Sequence, residues 1–349
     1  MKPMRKMAAV SMAAFMTAGM LIGCGNSGGS RGSASSQTNA NNGSSAATAS
    51  SEAGTDKDWN VAYLAKNVVD PFAVKMNNEA KKDLDQMVSD GLIKDWQMYD
   101  AQTDPALQVS LLEDAVTNGA NAVLLQPCEA AGSDPVVTRC SELGIPIIVI
   151  NALTDSTEDL ATGYVLSDDY QAGVMMGNYI KEKLPEGGKY VHMMGVVGNS
   201  AQQLRGKGIA DTLPEADGYE NGGDYAAEWL AEKAVSFATD AVTQYSDELK
   251  AIVCDNDDMS SAVQAYCNSV GRSDIVCIGV DGNDGALSMI KSGELAATVF
   301  QDGEAQVEYA INTILKSEIT GQSDGVEKKK NDIPFVLVTA DNIDDYYKK

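Results

Sequence analysis

The sequence contains a single histidine, His192, and few cationic side chains relative to its carboxylates. Lysine and arginine number 26 against 50 aspartates and glutamates, a formal charge of −24 over 349 residues. An acidic surface repels the phosphates of nucleic acids, so we expect no nucleic-acid partner. One histidine in an apolar segment offers no Ser-His-Asp set across a cleft, and we interpret His192 as a core residue.

Cysteines with metal-binding spacing are also missing. Beyond Cys24, five cysteines remain, and none forms a Cys-x-x-Cys pair. Cys254 and Cys277 lie in apolar, strand-like segments, which predicts buried free thiols. The carboxylates of Asp255, Asp257 and Asp258 lack the central glycine and closing glutamate of a calcium loop, and we interpret them as solvated turn residues. We therefore expect neither a metal ion nor a cofactor.

A long apolar run occurs only near the N-terminus. Three basic residues among the first six precede an apolar stretch over 7–22. This stretch is short for a membrane span and has the flanks of a signal peptide. It ends in Leu-Ile-Gly-Cys at residues 21–24, which resembles a bacterial lipobox. The resemblance implies that residues 1–23 are a lipoprotein signal peptide. It also implies that lipidated Cys24 anchors the protein to the outer face of the cell membrane.

The segment 24–57 consists mainly of Gly, Ser, Ala, Asn and Thr. With so little to bury it cannot offset the entropy of ordering, and we predict a flexible tether. From Asp58 onward, short apolar runs alternate with amphipathic stretches of helical period. Ile147–Ile150 is apolar on both faces, as in parallel sheets covered by helices on both sides. The alternation occurs in two successive halves, which predicts an α/β fold of two doubly wound, Rossmann-like lobes.

Open parallel sheets bind ligands at the carboxyl ends of their strands. The residues predicted there, or in the loops beside them, are mostly carboxylates, amides and aromatic rings that suit a polyhydroxylated compound. The candidate ligand-binding residues are Asp70, Phe72, Asn151, Asn199, Arg205, Trp229, Asn256, Asp281 and Gln301.

Several local motifs, in a shared order from about residue 60 to 338, resemble the ribose- and galactose-binding proteins of the type I periplasmic binding protein family. They are Asp-Pro-Phe at 70–72, the segments 144–151 and 198–206, the surroundings of Trp229, and the segments 254–259, 279–282 and 293–301.

The resemblance implies two lobes joined by a three-segment hinge. The N-terminal lobe would comprise 58–166 plus 302–330, and the C-terminal lobe 167–301 plus 331–349. The crossings would lie near Ser167, Gln301 and Phe335. The lobes of such a monomer close around one sugar, and an ABC permease in the membrane recognises the closed form. The family is not enzymatic.

The resemblance also implies roles for individual residues. Asp70 and Asp281 would accept hydrogen bonds from sugar hydroxyls, and Phe72 and Trp229 would sandwich the ring. Arg205 would donate to the ring oxygen and an adjacent hydroxyl. Asp70 has an alternative role as a helix N-cap, and the two aromatic residues have an alternative role in the core.

The remaining candidates bear on specificity. Asn151 is followed by alanine where ribose binders carry Asp-Arg, which favours a hexose such as galactose or glucose, with a pentose still possible. Asn199 replaces a histidine of galactose binders, and Ala201 replaces an acidic residue. Asn256 and Gln301 would complete the set of amides at the crevice.

Two other functions remain open. The same fold could present a sugar or signal molecule to a membrane receptor. A glycosidase could use Asp70 and Asp281 as an acid/base pair. A transcriptional repressor of this fold needs an N-terminal helix-turn-helix, and the sequence has the lipobox-like segment there instead.

Overall fold

The computed structural model describes residues 58–330 and 333–347. The predicted signal peptide, Cys24 and the predicted tether lie outside these residues. The described strands are β1 (Asn60–Ala65), β2 (Asp95–Asp100), β3 (Ala122–Leu125), β4 (Ile147–Ile150), β5 (Gly163–Val165), β6 (Gly188–Met194), β7 (Tyr219–Ala226), β8 (Leu249–Cys254), β9 (Val276–Asp281), β10 (Ala297–Phe300), β11 (Lys329–Lys330) and β12 (Val336–Thr339).

The helices lie between these strands. They are α1 (Pro71–Ser89), α2 (Pro105–Thr117), α3 (Asp134–Leu143), α4 (Thr157–Leu160), α5 (Asp169–Lys183), α6 (Ser200–Thr212), α7 (Ala231–Tyr245), α8 (Asp257–Ser269), α9 (Asp284–Ser292), α10 (Gly303–Tyr309), α11 (Lys316–Thr320) and α12 (Ile343–Tyr346). A π-helical segment, Ala310–Leu315, joins α10 to α11, and two short 3₁₀ turns occupy Glu215–Asp217 and Ser246–Glu248.

The strands form two separate six-stranded sheets. The first has the order β11-β5-β4-β3-β1-β2, and the second has the order β12-β10-β9-β8-β6-β7. All neighbours run parallel except β10 and β12, which are antiparallel. We call the first sheet with its helices the first lobe, and the second sheet with its helices the second lobe.

Each sheet is covered by helices on both faces. β3 and β4 are buried along their whole length, as expected for apolar strands between two helical layers. In the first lobe one face packs against α1 and the segment 303–320, and the other against α2 and α3. In the second lobe α7, α8 and α9 cover one face, and α5 and α6 the other. The α/β prediction is therefore confirmed.

Three stretches of chain connect the sheets. The first is 166–168, between β5 and α5, and the second is 301–302, between β10 and α10. The third leads from β11 to β12 and includes residues 331 and 332, which lie outside the described residues. These positions match the three crossings predicted near Ser167, Gln301 and Phe335.

The five described cysteines are all buried and free, as predicted for Cys254 and Cys277. The interpretation of Asp255 and Asp257 as solvated turn residues is wrong, because both are buried. Asp257 Oδ2 accepts hydrogen bonds from the backbone N–H groups of Gly282 and Asn283 at 2.7 and 3.0 Å. Its Oδ1 accepts one from the Thr298 hydroxyl at 2.7 Å. Asp257 thus holds the loop after β9 rather than contacting bulk water.

No helix within 58–330 and 333–347 combines the length and apolar character needed to cross a membrane.

Candidate ligand-binding site

One cavity between the lobes, which we call the inner cavity, collects every residue of the predicted site. It is lined by Asp70, Phe72, Asn151, Asn199, Arg205, Trp229, Asn256, Asp281 and Gln301, together with Lys66 and Ala201. Residues far apart in sequence therefore meet at one place, with contributions from both lobes.

The parallel sheets explain this convergence. Lys66 directly follows β1, Asn151 directly follows β4, Asp281 ends β9, and Gln301 directly follows β10. The carboxyl ends of these strands face the cleft, where loops carry side chains toward a ligand. The topology of two doubly wound sheets thus places polar groups of the two lobes opposite one another.

Backbone strain marks three of these residues. Asn151, Trp229 and Asp281 have φ values of 70°, 67° and 130°, in a region that non-glycine residues rarely adopt. Glu228, beside Trp229, also has a positive φ of 57°. Such conformations cost about 1–3 kcal/mol each and persist where the surrounding structure fixes a functional side chain. The strain is an indication of function that is independent of the sequence motifs.

Asp70 is both a helix cap and a cavity residue. Its Oδ1 accepts hydrogen bonds from the backbone N–H groups of Phe72 at 2.9 Å and Ala73 at 3.4 Å, which caps α1. The two roles considered for Asp70 are therefore compatible, because a carboxylate has enough lone pairs for the cap and for further donors.

Arg205 is buried and held by acceptors of its own lobe. Its Nη2 lies 2.8 Å from Asp169 Oδ1, and its Nε donates to the same oxygen at 2.9 Å. Nη1 donates to the backbone carbonyl of Asp255, and Nη2 to Gln301 Oε1 at 3.2 Å. Because these bonds fix the guanidinium plane, only part of its donor capacity remains for a ligand.

Gln301 has one amide group free for a ligand. Its side chain is 3% exposed, and its Nε2 is buried without a hydrogen-bond partner among the described residues. An unsatisfied buried N–H costs about 1–3 kcal/mol, so a ligand acceptor placed there would be favoured. The amide orientation follows from the bond that Oε1 accepts from Arg205.

Asn199 connects the lobes. Its Oδ1 accepts from Ala201 N at 3.0 Å and caps α6, while its Nδ2 donates to the carbonyl of Cys128 in the first lobe at 3.0 Å. Two further hydrogen bonds join the lobes nearby: Ala130 N donates to Gly198 O at 3.0 Å, and Leu153 N donates to Ser200 Oγ at 2.8 Å. The lobes therefore already touch on this side of the cavity.

Carboxylates of both lobes lie close together in the cleft. Burial raises the pKa of Asp281 well above its usual range, and the negative charges of Asp257, Asp70 and Asp258 add to this rise, although Arg205 opposes it. Burial and the charge of Asp70 raise the pKa of Asp258 to about 6. Asp70 belongs to the first lobe and the other carboxylates to the second, so closure brings like charges together. Hydroxyl donors of a ligand would relieve this repulsion.

The aromatic residues have different surroundings. Phe72 is largely buried and packs in the core of the first lobe, where a Cβ on Gly303 would lie 2.7 Å from its Cζ. Trp229 is half-buried, and a Cβ on Gly195 would lie 2.1 Å from its ring. Trp229 thus fits closely over a glycine and also lines the cavity. Phe72 combines its core role with a cavity-lining role.

Lys66 is the residue that the sequence reasoning missed. Its ammonium lies 4.9 Å from the centroid of the Trp229 ring, a cation–π distance, and the side chain is buried. The available signal was its position, because Lys66 directly follows the apolar strand β1 as Asn151 follows β4 and Gln301 follows β10. A lysine there brings three donors into a cavity otherwise rich in acceptors.

His192 is buried in β6, as predicted, but it is part of an ionic network. Its Nε2 lies 2.8 Å from Asp255 Oδ1 and its Nδ1 lies 3.3 Å from Asp224 Oδ1. Burial alone would lower the pKa of His192, but these carboxylates raise it to about 9. The same Asp255 accepts the Arg205 bond through its carbonyl. Asp255 therefore links the His192 network to the Arg205 guanidinium.

The architecture defines a two-lobed α/β solute-binding protein: two parallel sheets, three connections and a polar cavity between the lobes. The chain belongs to the periplasmic binding protein domain family, whose sequence profile matches residues 61–322.

Relatives agree with this assignment. A xylitol-binding protein of Mycolicibacterium smegmatis is 27% identical over 70% of this chain and 68% of its own length. The ribose import binding protein of Bacillus subtilis is 27% identical over 73% of this chain and 80% of its own. The crystal structure of an ABC transporter solute binding protein from Bacillus halodurans with bound myo-inositol has a TM-score of 0.75 at 24% identity. It covers 84% of this chain and 98% of that one.

These findings confirm the resemblance, the two-lobed type I fold and the prediction that the protein binds a solute rather than catalysing a reaction.

Proposed function

We propose that this protein captures a small polyhydroxylated ligand, a monosaccharide or cyclitol, and delivers it to an ABC importer. The observation that carries the proposal is the meeting of all nine predicted residues, from both lobes, in one cavity. The names of the relatives support it, since those proteins bind xylitol, ribose and myo-inositol.

The chemistry of the cavity suits such a ligand. Asp70 and Asp281 supply ionisable acceptors, and Lys66 and the free amide of Gln301 supply donors. A sugar hydroxyl both donates and accepts, so a lining that mixes donors and acceptors can satisfy it. The Trp229 ring offers a flat apolar surface to the C–H face of a sugar ring.

Binding requires the lobes to move. The inner cavity has a volume of about 30 Å³, and roughly 10–15 Å³ is needed to hold one water molecule. A sugar ring therefore enters when the connecting segments at 166–168 and 301–302 let the lobes separate, and the lobes then close around it. The permease then receives the closed, loaded form.

A hexose such as galactose or glucose is the favoured ligand, and a pentose is the alternative. The hexose preference rests on Asp70 and on the Asn151-Ala152 pair, which resemble the hexose-binding pattern. The half-buried Trp229 would accept the wider face of a six-membered ring.

We also propose that the protein is a monomeric lipoprotein. Residues 1–23 would be removed, Cys24 lipidated, and 24–57 would tether a body whose lobes are 58–166 plus 302–330 and 167–301 plus 331–349. Labelling cells with a radioactive fatty acid tests the anchor: the wild-type protein should carry label, and Cys24→Ser should carry none. Label retained in Cys24→Ser would contradict the anchor.

Isothermal titration across glucose, galactose, xylose, ribose and myo-inositol tests the function. We expect at least one of these to bind stoichiometrically, with a hexose tightest. No heat with any of them, in protein that unfolds cooperatively, would refute capture of a small polyol. A pentose or the cyclitol binding tightest would refute only the hexose preference.

A further inference from the structure

A second cavity, which we call the outer cavity, adjoins the inner one. Its volume is about 750 Å³, and Asp70 and Trp229 line both cavities. Small-molecule sites typically occupy about 300–1,000 Å³, so the outer cavity alone has the size of a ligand site. A compound seated in the inner cavity could therefore extend past Asp70 and Trp229 without leaving the cleft.

Both lobes contribute apolar side chains to the walls of the outer cavity, which also carry carboxylates and one lysine. Val69 of the first lobe is 81% exposed, and Leu230 of the second is 44% exposed, although both are aliphatic. Ala262 of α8 adds a small side chain to the same wall. Exposed aliphatic residues from two lobes that face one cleft indicate a surface covered by a ligand rather than by water.

Unpaired acceptors lie among these walls. Asn283 is 5% exposed, and its Oδ1 is buried without a hydrogen-bond partner among the described residues, as is Ser261 Oγ. Asn283 Nδ2, by contrast, donates to Asp258 Oδ1 and to Asp281 Oδ2, both at 3.3 Å. A buried acceptor without a donor is costly, and a ligand hydroxyl would satisfy it. Asn283 also links the outer cavity to Asp281 of the inner one.

The outer cavity persists with the lobes in contact. Lys75 of α1 and Asp284 of α9 form an ion pair of 2.9 Å that bridges the two lobes, and both residues line this cavity. The outer cavity is therefore open in the same arrangement of the lobes in which Asn199 bonds to the first lobe. A ligand that filled it would be held by both lobes at once.

We propose that the outer cavity is a second sugar subsite and that the ligand is a disaccharide or glycoside, whose first ring occupies the inner cavity. This inference rests on the proposed function. The second ring places its C–H face on Leu230 and donates hydroxyl hydrogen bonds to Asn283 Oδ1 and Asp258. The hydroxylated character follows from the unpaired acceptors and the carboxylates of the lining, and the apolar face of the ligand follows from the aliphatic side chains.

Titration with monosaccharides and matched disaccharides tests the subsite: glucose against maltose and cellobiose, and galactose against lactose and melibiose. We expect one disaccharide to bind at least about tenfold more tightly than its component monosaccharides. If every disaccharide binds no more tightly than its components, while a monosaccharide binds, the second subsite is refuted and the proposed function stands. If no sugar of either size binds, the proposed function itself fails.

Ala262→Trp fills the outer cavity. We expect it to remove the disaccharide advantage and to leave the Kd of the monosaccharide unchanged, which also shows that the variant is folded. The matched control is Ala265→Trp, an exposed position on the same helix, which should alter neither Kd. Leu230→Ala, at a partly exposed site, should weaken disaccharide binding alone. Unchanged disaccharide binding in both Ala262→Trp and Leu230→Ala would overturn the subsite.

Discussion

The ammonium of Lys66 lies 4.9 Å from the centre of the Trp229 ring, so a cation of the first lobe rests on an aromatic side chain of the second inside the cavity. Lys66 therefore contributes to closure and to the lining at once.

Lys66→Met keeps the length of the side chain and removes its charge. We expect sugar binding to weaken by about 1.5–3 kcal/mol, roughly ten- to a hundredfold, because a charged donor to the ligand is lost. Titration calorimetry measures this change. Lys81→Met, on the exposed part of α1, serves as the control. Tighter binding in Lys66→Met would show instead that the lysine competes with the ligand for the cavity.

Asp281→Asn keeps the shape of the side chain and removes an acceptor charge. We expect a binding loss of about 1.5–3 kcal/mol. The thermal stability of the ligand-free protein should not fall, because burial, together with the charges of Asp257, Asp70 and Asp258, raises the pKa of Asp281 and so disfavours its charged form. Calorimetry and thermal melts measure the two quantities. Unchanged affinity would remove Asp281 from the site, and Asp240→Asn on exposed α7 is the matched control.

Gly195→Ala tests the position of Trp229. The added Cβ would lie 2.1–2.3 Å from three atoms of the ring, which must therefore move. We expect sugar affinity to fall about tenfold or more, with the tryptophan fluorescence shifted and the far-UV spectrum retained. Gly285→Ala, where a Cβ meets nothing within 4 Å, should leave monosaccharide binding unchanged. If both variants bind alike, the ring position does not matter for recognition.

His192→Gln tests the buried ion network. The folded-state pKa of His192 is about 9, above its unfolded value of 6.5. Protonated His192 therefore contributes stability that is complete below pH 6.5 and is lost as the pH rises through 9, about 3 kcal/mol in all. Because His192→Gln retains the carboxyl groups whose pKa values are raised, those of Asp257, Asp258 and Asp281, the difference between the two proteins isolates the histidine.

Urea unfolding at pH 7.5 and 9.5 measures the difference. The wild-type free energy of unfolding should fall between these values, and that of His192→Gln should fall much less. Parallel pH profiles for the two proteins would show that Asp224 and Asp255 do not hold a charged histidine.

The sequence predicted the positions of the longer elements well. The strand predicted at Ile147–Ile150 matches β4, since a continuous apolar run is enough to predict a buried strand. The two-residue strand β11 and the four-residue helices α4 and α12 were missed, because segments this short do not show a hydrophobic periodicity. Their formation depends on neighbouring chain that only the folded lobe provides.

The candidate site was predictable because strand ends are recognisable in sequence and parallel sheets bring strand ends together. Lys66 was missed because a lysine after a strand is usually solvated, and only the approach of Trp229 from the other lobe buries it. Asp255 and Asp257 were wrongly interpreted as solvated because the residues that pair with them are distant in sequence. Their partners, His192 and Thr298, lie 63 and 41 residues away in sequence.

The bonds from Asn199 to Cys128, and from Leu153 to Ser200, join the lobes without involving the inner cavity's acceptors. They therefore set how readily the empty cleft shuts, a property common to all ligands. A substitution such as Ser200→Ala, which removes the bond from Leu153 and lies outside the inner cavity, would multiply every dissociation constant by one factor and preserve the ranking of sugars. A substitution at Asp281 or Gln301 would reorder that ranking. The ratio of two ligands' affinities thus distinguishes a closure residue from a recognition residue.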